Sequence, residues 1–138
     1  MLQSAHARTY WGVAIEELTG VHVLIVEDDD NTRHFLREVL QFWSALVTAT
    51  TAGEAMHVAL AADVIVCDFA AVEAAGPEFL RRLQYMHASR GRPAPAIALL
   101  PLGTLSGAAA RAAGFQRHLT RPVDGDRLRR MVWDLSRR

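Results

Sequence analysis

The alternation of apolar and polar positions predicts five strands separated by five helices. Short runs rich in Val and Ile are typical of strands buried on both faces, as in a parallel sheet. The predicted strands are Val21–Val26, Ala45–Thr50, Val64–Cys67, Ala96–Leu100 and Phe115–Thr120. Apolar residues at helical spacing follow each strand: from near Asp30 or Asn31, then in Ala52–Leu60, Gly76–His87, Ser106–Ala113 and Asp124 to about Ser136. This order predicts an α/β fold of right-handed βαβ units on one parallel sheet.

The first helix has the clearest pattern. Asp30 or Asn31 is suited to be its N-cap, because a short polar side chain accepts hydrogen bonds from the first free amides. Its apolar residues form a single stripe that we expect to face the core, and they are Phe35, Leu36, Val39, Leu40 and Trp43.

Residues 1–20 precede this alternation, so we divide the chain into an N-terminal extension or linker (1–20) and a main domain (21–138). Two interpretations of residues 2–19 remain open. They form an extra helix that carries Tyr10, Trp11, Ala14, Ile15 and Leu18, or they are a linker from a longer chain.

Composition narrows the class of protein. The 138 residues are 51% hydrophobic with a formal net charge of zero, which suits one ordinary globular domain. No apolar run approaches the roughly 20 residues that span a bilayer, no signal peptide is evident, and one cysteine excludes a disulfide framework. We therefore expect a cytoplasmic protein without membrane contact, with Cys67 packed in the core.

The basic residues are unevenly distributed. All fifteen are arginine, and twelve lie from Arg81 onward. A basic half can indicate nucleic-acid binding. These arginines are spread over separate helices, however, so we interpret them as composition bias and expect no nucleic-acid partner.

Two predicted strands end in acidic residues. Val23–Val26 is followed by Glu27, Asp28 and Asp29, and Val64–Cys67 is followed by Asp68. Ligands of open parallel sheets bind beyond the carboxyl ends of the strands. Carboxylates gathered there require a positive partner, which is either a hard divalent cation or a fixed basic side chain.

The ordered set of Glu27-Asp28 after the first strand, Asp68 after the third and Thr120-Arg121-Pro122 after the fifth resembles response regulator receiver domains. Gly76 and Ala112–Phe115 also match. The resemblance covers residues 21–138 and implies a flavodoxin-like doubly wound five-stranded parallel sheet, in the order 2-1-3-4-5, with helices on both faces.

The resemblance also implies roles for individual residues. Asp68 would be the phospho-acceptor, and Mg²⁺ would be held by Glu27, Asp28, Asp68 and the backbone carbonyl of Ala70. Arg121 would contact the phosphoryl group. Mg²⁺ prefers oxygen ligands and takes only one or two carboxylates, and a carboxylate is a competent nucleophile toward phosphorus.

Three positions and one loop depart from the pattern of the family. Leu100 stands where the fourth strand usually ends in a switch Thr or Ser, so a hydroxyl-based switch is absent. Arg121 replaces the usual lysine, and the two are not interchangeable in geometry. His118 takes the aromatic switch position, and the loop after Asp68 lacks the usual proline.

These features lead us to predict a non-enzymatic, atypical receiver that is phosphorylated on Asp68 by a histidine kinase or phosphotransfer protein. No output segment follows the last helix, so we expect the signal to pass to another protein through residues 106–138; homodimerisation is left open. Two alternatives remain: a degenerate receiver that docks a partner independently of phosphorylation, and the receiver piece of a hybrid sensor kinase. A metal-dependent phosphatase is disfavoured because Ala70 stands where a second acid is needed.

Overall fold

The structure is a computed structural model that describes residues 7–10 and 13–137. The strands are β1 (Ala7–Tyr10), β2 (Val13–Glu16), β3 (His22–Val26), β4 (Leu46–Thr50), β5 (Val64–Asp68), β6 (Ala96–Leu100) and β7 (Arg117–Thr120). The helices are α1 (Asp30–Phe42), α2 (Phe69–Ala75), α3 (Phe79–Met86), α4 (Ala108–Ala113) and α5 (Gly125–Ser136), with a 3₁₀ turn at Ala55–His57. None of these described helices is long and apolar enough to cross a bilayer.

Five strands form one parallel sheet in the order β4-β3-β5-β6-β7. Counted along the chain from β3, this is the order 2-1-3-4-5, so the predicted flavodoxin-like fold is confirmed. Val26 pairs in register with Cys67, which brings the carboxyl ends of β3 and β5 to the same height. Glu27, which follows β3, and Asp68, which ends β5, therefore lie at one edge of the sheet.

Successive residues of the buried strands supply two separate cores. Ile25 packs with Leu36 of α1 and Val132 of α5 on one face. Leu24 packs with Leu83 of α3 on the other, where α2 and α4 also lie. The sheet is thus covered on both faces, which explains why its strands are apolar at consecutive positions rather than alternately.

The N-terminal segment is not an extra helix in the residues that are described. β1 and β2 pair antiparallel as a small separate sheet, with Ala7 opposite Glu16. Trp11 lies outside the described residues. Leu18 is fully buried in the main core, and its amide donates to the Trp43 carbonyl at 2.8 Å.

Several predicted boundaries are wrong. Ala52–Leu60 forms only the short 3₁₀ turn, consistent with the low helix propensity of Gly53. α3 begins at Phe79 rather than Gly76, because Gly76 adopts φ +103°, which is not helical. One residue of the predicted core-facing stripe of α1 also differs, because the Phe35 side chain is 45% exposed. β7 begins two residues later than predicted.

Candidate functional site at the acidic edge of the sheet

Arg121 joins the two acidic strand ends. Its Nη2 lies 2.7 Å from Glu27 Oε1 and 3.0 Å from Asp68 Oδ1. The side chain of Glu27 is only 5% exposed, that of Asp68 19% and that of Arg121 26%. Burial alone would lower the pKa of Arg121, but the hydrogen bonds to Glu27 and Asp68 outweigh it, so the pKa is raised above its ordinary value. The positive partner of these two carboxylates is therefore a fixed guanidinium.

The position of Arg121 is set by the backbone as well. It directly follows β7, and its amide donates to the carbonyl of Leu100 at 3.0 Å, extending the pairing of β6 with β7 by one bond. The side chain consequently starts from a fixed point at the carboxyl edge of the sheet.

Glu27 is hydrogen-bonded through both its side chain and its backbone. Its Oε2 accepts from the Asp29 amide at 3.1 Å, which leaves both carboxylate oxygens hydrogen-bonded. Its amide donates to Thr50 O at 2.9 Å, and its carbonyl accepts from Arg33 Nη1 at 2.9 Å. These bonds satisfy a charged group that would be costly to bury alone.

Asp28 and Asp29 have different surroundings from Glu27. Asp28 is exposed, and its Oδ1 accepts from the Ala52 amide at 2.8 Å. Asp29 is the N-cap of α1: its Oδ2 accepts from Thr32 N at 2.8 Å and from Thr32 Oγ1 at 2.7 Å, and these bonds lower the pKa of Asp29. The predicted cap, Asp30 or Asn31, is therefore wrong by one or two residues.

A short helix begins directly after Asp68, where a loop was predicted. α2 buries Phe69, Ala71 and Val72, and Asp68 is its N-cap residue without a side-chain capping bond. Ala70 lies in the first turn, where a helical carbonyl points along the axis toward the C-terminus. Its assignment as a metal ligand remains a prediction. The four alanines of this segment were the signal available for the helix.

The acidic side chains do not form a three-ligand metal cluster. Within residues 7–10 and 13–137, no group of three or more His, Cys, Asp or Glu side chains is placed to hold a metal ion. Among the three side chains that the resemblance assigns to the metal, Oδ2 of Asp28 and Oδ2 of Asp68 accept no hydrogen bond from the described residues, whereas both oxygens of Glu27 do. The assignment of Glu27, Asp28 and Asp68 as metal ligands remains a prediction.

The position of the usual switch hydroxyl is apolar and buried. Leu100 ends β6, is 2% exposed and packs in the core that includes α2, α3 and α4. Its register partner is Thr120, whose hydroxyl donates to Thr104 O at 3.4 Å. The hydroxyl nearest to Leu100 in register is thus engaged with the β6–α4 loop.

His118 packs against the start of α4. It is half-buried on β7, and a Cβ at position 107 would lie 2.2 Å from its Cε1 atom. Only a glycine at position 107 therefore allows the imidazole to take this position. The predicted interpretation of His118 as a partly buried aromatic-like residue agrees with this packing.

Cys67 is fully buried next to Asp68. Burial, and to a lesser degree the charges of Asp68 and Glu27, raise the pKa of its thiol far above the ordinary value. A thiol that does not ionise is a poor nucleophile, and the prediction that Cys67 packs in the core is confirmed.

The fold matches solved receiver structures over most of their length. A putative response regulator from Chloroflexus aurantiacus is 25% identical, with a TM-score of 0.69, covering 86% of this chain and 98% of that chain. The receiver domain of a sensor histidine kinase from Pseudomonas aeruginosa, solved with a magnesium ion in its active-site cleft, is 21% identical, with a TM-score of 0.66, covering 87% and 100%. The class defined by this fold and its acidic edge is the response regulator receiver domain.

A relative from Leptolyngbya boryana, the uncharacterized 14.6 kDa protein in the sodA1 3′ region, is 34% identical over 122 residues, covering 86% of this chain and 92% of the relative. No family model matches the chain. The chain has the fold of the response regulator receiver domains of two-component signalling, and it belongs to one family with the L. boryana protein. Receiver domains are in general signalling modules rather than enzymes, and they interact with histidine kinases or phosphotransfer proteins.

Proposed function

We propose that this chain is an atypical receiver that accepts a phosphoryl group on Asp68 from a histidine kinase or phosphotransfer protein and acts through protein contacts. One observation carries the proposal: the Asp68 carboxylate lies partly exposed at the carboxyl edge of β5, with a cationic side chain 3.0 Å away. We assign the receiver to residues 21–138 and regard residues 1–20 as an extension whose Leu18 packs against it.

The chemistry follows from the residues present. A carboxylate oxygen of Asp68 attacks the phosphorus of a phosphohistidine, the phosphorus–nitrogen bond breaks, and an aspartyl phosphate forms while the nitrogen regains a proton. Phosphoryl transfer requires positioning and neutralisation of the equatorial oxygens. Arg121 supplies part of that charge, because a guanidinium binds phosphate oxygens through two parallel hydrogen bonds. Glu27 helps to orient Arg121, because it accepts from the same Nη2 atom that donates to Asp68.

Asp28 and Asp68 are the residues that would hold Mg²⁺. Each has one oxygen without a hydrogen bond in the described residues, and two carboxylates completed by water suit this ion. When bound, Mg²⁺ would neutralise charge on the transferred group. The magnesium in the P. aeruginosa receiver supports this assignment by analogy of fold.

The test is phosphorylation by acetyl phosphate with Mg²⁺, followed by intact mass. We expect the mass of one phosphoryl group to be added to the wild-type chain and to be lost in Asp68→Asn. Asp63→Asn is the matched control, since Asp63 precedes the same strand at its opposite end and an amide oxygen can still accept from the His22 amide. A second arm with EDTA measures the contribution of the metal. A chain that gains no phosphoryl group, or gains it equally in Asp68→Asn, contradicts the proposal.

A phosphorylation-independent docking module is the second candidate. The observation that favours it is Arg121, which already neutralises Glu27 and Asp68, together with the buried Leu100 in place of a switch hydroxyl. This function predicts neither phosphoryl gain nor Mg²⁺ binding in calorimetry. A receiver piece of a hybrid sensor kinase would instead gain the phosphoryl group, as in the first proposal.

A further inference from the structure

A cleft lies at the end of the sheet opposite to Asp68. It has a volume of about 570 Å³ and is lined by residues that precede strands, including Asp63 before β5, Pro95 before β6 and Gln116 before β7. The end of α5 closes it with Ser136 and Arg137. A polar cleft of this size lies within the range that binds small molecules in proteins.

The charges that line this cleft are mostly unpaired and positive. Three arginines, Arg90, Arg92 and Arg137, face a single carboxylate, Asp63. Oδ2 of Asp63 accepts from the His22 amide at 2.8 Å. None of the three guanidiniums forms an ion pair within the described residues. Arg137 stacks on the Trp133 ring, with 4.6 Å from its Cζ to the ring centroid. The lining thus carries an excess of positive charge without an internal partner.

Two of these arginines, Arg90 and Arg92, belong to one tight turn. Ser89 and Arg92 exchange backbone hydrogen bonds of 2.9 and 3.0 Å, and the two residues between them have positive φ, Arg90 at 55° and Gly91 at 75°. A left-handed conformation is unfavourable for a residue with a side chain. Positive φ at both central residues is the geometry of a type I′ turn, and this turn holds two guanidiniums beside one cleft.

The wall of the cleft also contains a buried donor without a partner. His87 is 2% exposed, and its Nδ1 accepts from the Ala62 amide at 2.9 Å. Burial and the nearby His22 lower the pKa of His87, so the ring is neutral and its proton lies on Nε2. In the described part of the chain this Nε2 has no hydrogen-bond partner. Because Nε2 is itself buried, an acceptor in the cleft would reach it only after the neighbouring side chains shift.

We propose that this cleft binds a small molecule carrying a diphosphate group. Guanidiniums are suited to phosphate because their donors match its oxygens in pairs, and three of them beside a polar cleft fit two adjacent phosphates. The site is separate from Asp68 and independent of its phosphorylation.

Isothermal titration of the full chain with pyrophosphate in Mg²⁺-free buffer tests the proposal. We expect saturable binding that weakens at least about tenfold in the Arg90→Gln/Arg92→Gln double variant, since a tenfold loss is what about 1.4 kcal/mol of charge-assisted bonding gives. Arg82→Gln, an exposed arginine outside the cleft, is the matched control and should bind as the wild type does. Titration with ADP distinguishes a nucleotide diphosphate from free diphosphate by which of the two binds more tightly.

A third variant separates loss of binding from loss of fold. Arg90→Gly removes the guanidinium and keeps the turn, because glycine adopts positive φ without strain; binding should weaken while the thermal midpoint does not fall. In NMR spectra, pyrophosphate should shift the amides of residues 89–92 and leave that of Asp68 in place. No saturable binding, equal binding by the double variant, or shifts confined to the Asp68 edge would overturn the inference.

Discussion

Replacement of Arg121 by alanine should destabilise the fold because it removes the cation shared by Glu27 and Asp68. Two charge-assisted hydrogen bonds, of 2.7 and 3.0 Å, are lost, and the Glu27 carboxylate remains 95% buried beside another carboxylate. Breaking a buried ion pair from one side costs roughly 3–5 kcal/mol. Asp68 and Arg121 keep some contact with water, so we expect about 3 kcal/mol, at the lower end of that range.

Urea unfolding at neutral pH, followed by tryptophan fluorescence, measures this loss. Trp43 and Trp133 pack against the core and report on its unfolding. Arg121→Lys should recover part of the stability, because an ammonium keeps the charge but lacks the planar fork. Arg82→Ala is the control for removal of an exposed arginine, with an expected change within about 0.5 kcal/mol.

A double-mutant cycle assigns the effect to the pair. In a Glu27→Gln background, Arg121→Ala should cost about 1–2 kcal/mol less than in the wild type, within the range of coupling between contacting residues. About 1 M salt should reduce the effect only slightly, because buried charges are screened less than exposed ones. A loss no larger than that of Arg82→Ala, or a coupling near zero, would refute the bridging role of Arg121.

Three further predictions concern the switch positions and the opposite end of the sheet. Leu100→Thr should lower the free energy of unfolding by about 2–4 kcal/mol, because it removes buried apolar volume and introduces a buried hydroxyl. It should also change the lifetime of the phosphoryl group on Asp68. An unchanged lifetime together with unchanged partner binding would show that the missing hydroxyl is unimportant. Gly107→Ala should displace the His118 imidazole, visible as shifted ring resonances, and destabilise by about 1–3 kcal/mol, whereas in a His118→Ala background the same change should be nearly neutral. The pKa of His87 is lowered in the folded state, so its contribution to stability is complete above the unfolded pKa near 6.5 and is lost as pH falls. His87→Asn keeps an acceptor for the Ala62 amide and should lose less stability than the wild type between about pH 7 and 5. An identical pH dependence of the two proteins would contradict this prediction.

The N-terminal segment shows where local pattern failed. Tyr10, Ala14 and Leu18 fit helical spacing, yet the described part of this segment is a β-hairpin followed by a core residue. A spacing of four residues in so short a stretch cannot distinguish a helix from a β-hairpin. The pairing of the two strands overrides a weak local helix propensity. The helix after Asp68 was missed for a different reason: its seven residues are too few to show a clear helical repeat.

The sequence alone determined the parallel sheet and the edge at which the acids meet. Consecutive apolar residues require burial on both faces, βαβ units are right-handed, and parallel strands end on the same side, so Glu27 and Asp68 had to lie at one edge of the sheet. That their strands are neighbours was implied by the resemblance, and the pairing of β3 with β5 confirms it. These rules act over one strand or one βαβ unit, which is why a linear pattern contains them.

Only the tertiary structure decided which group neutralises those acids and which other donors bind their oxygens. Arg121 donates to Glu27 across a sequence separation of 94 residues. The Asp29 amide donates to the second oxygen of Glu27, and the Ala52 amide donates to one oxygen of Asp28. The pairing of a side chain depends on where several loops place their donors within hydrogen-bonding distance. No local periodicity encodes that distance, and the same is true of the arginines that meet at the opposite end of the sheet.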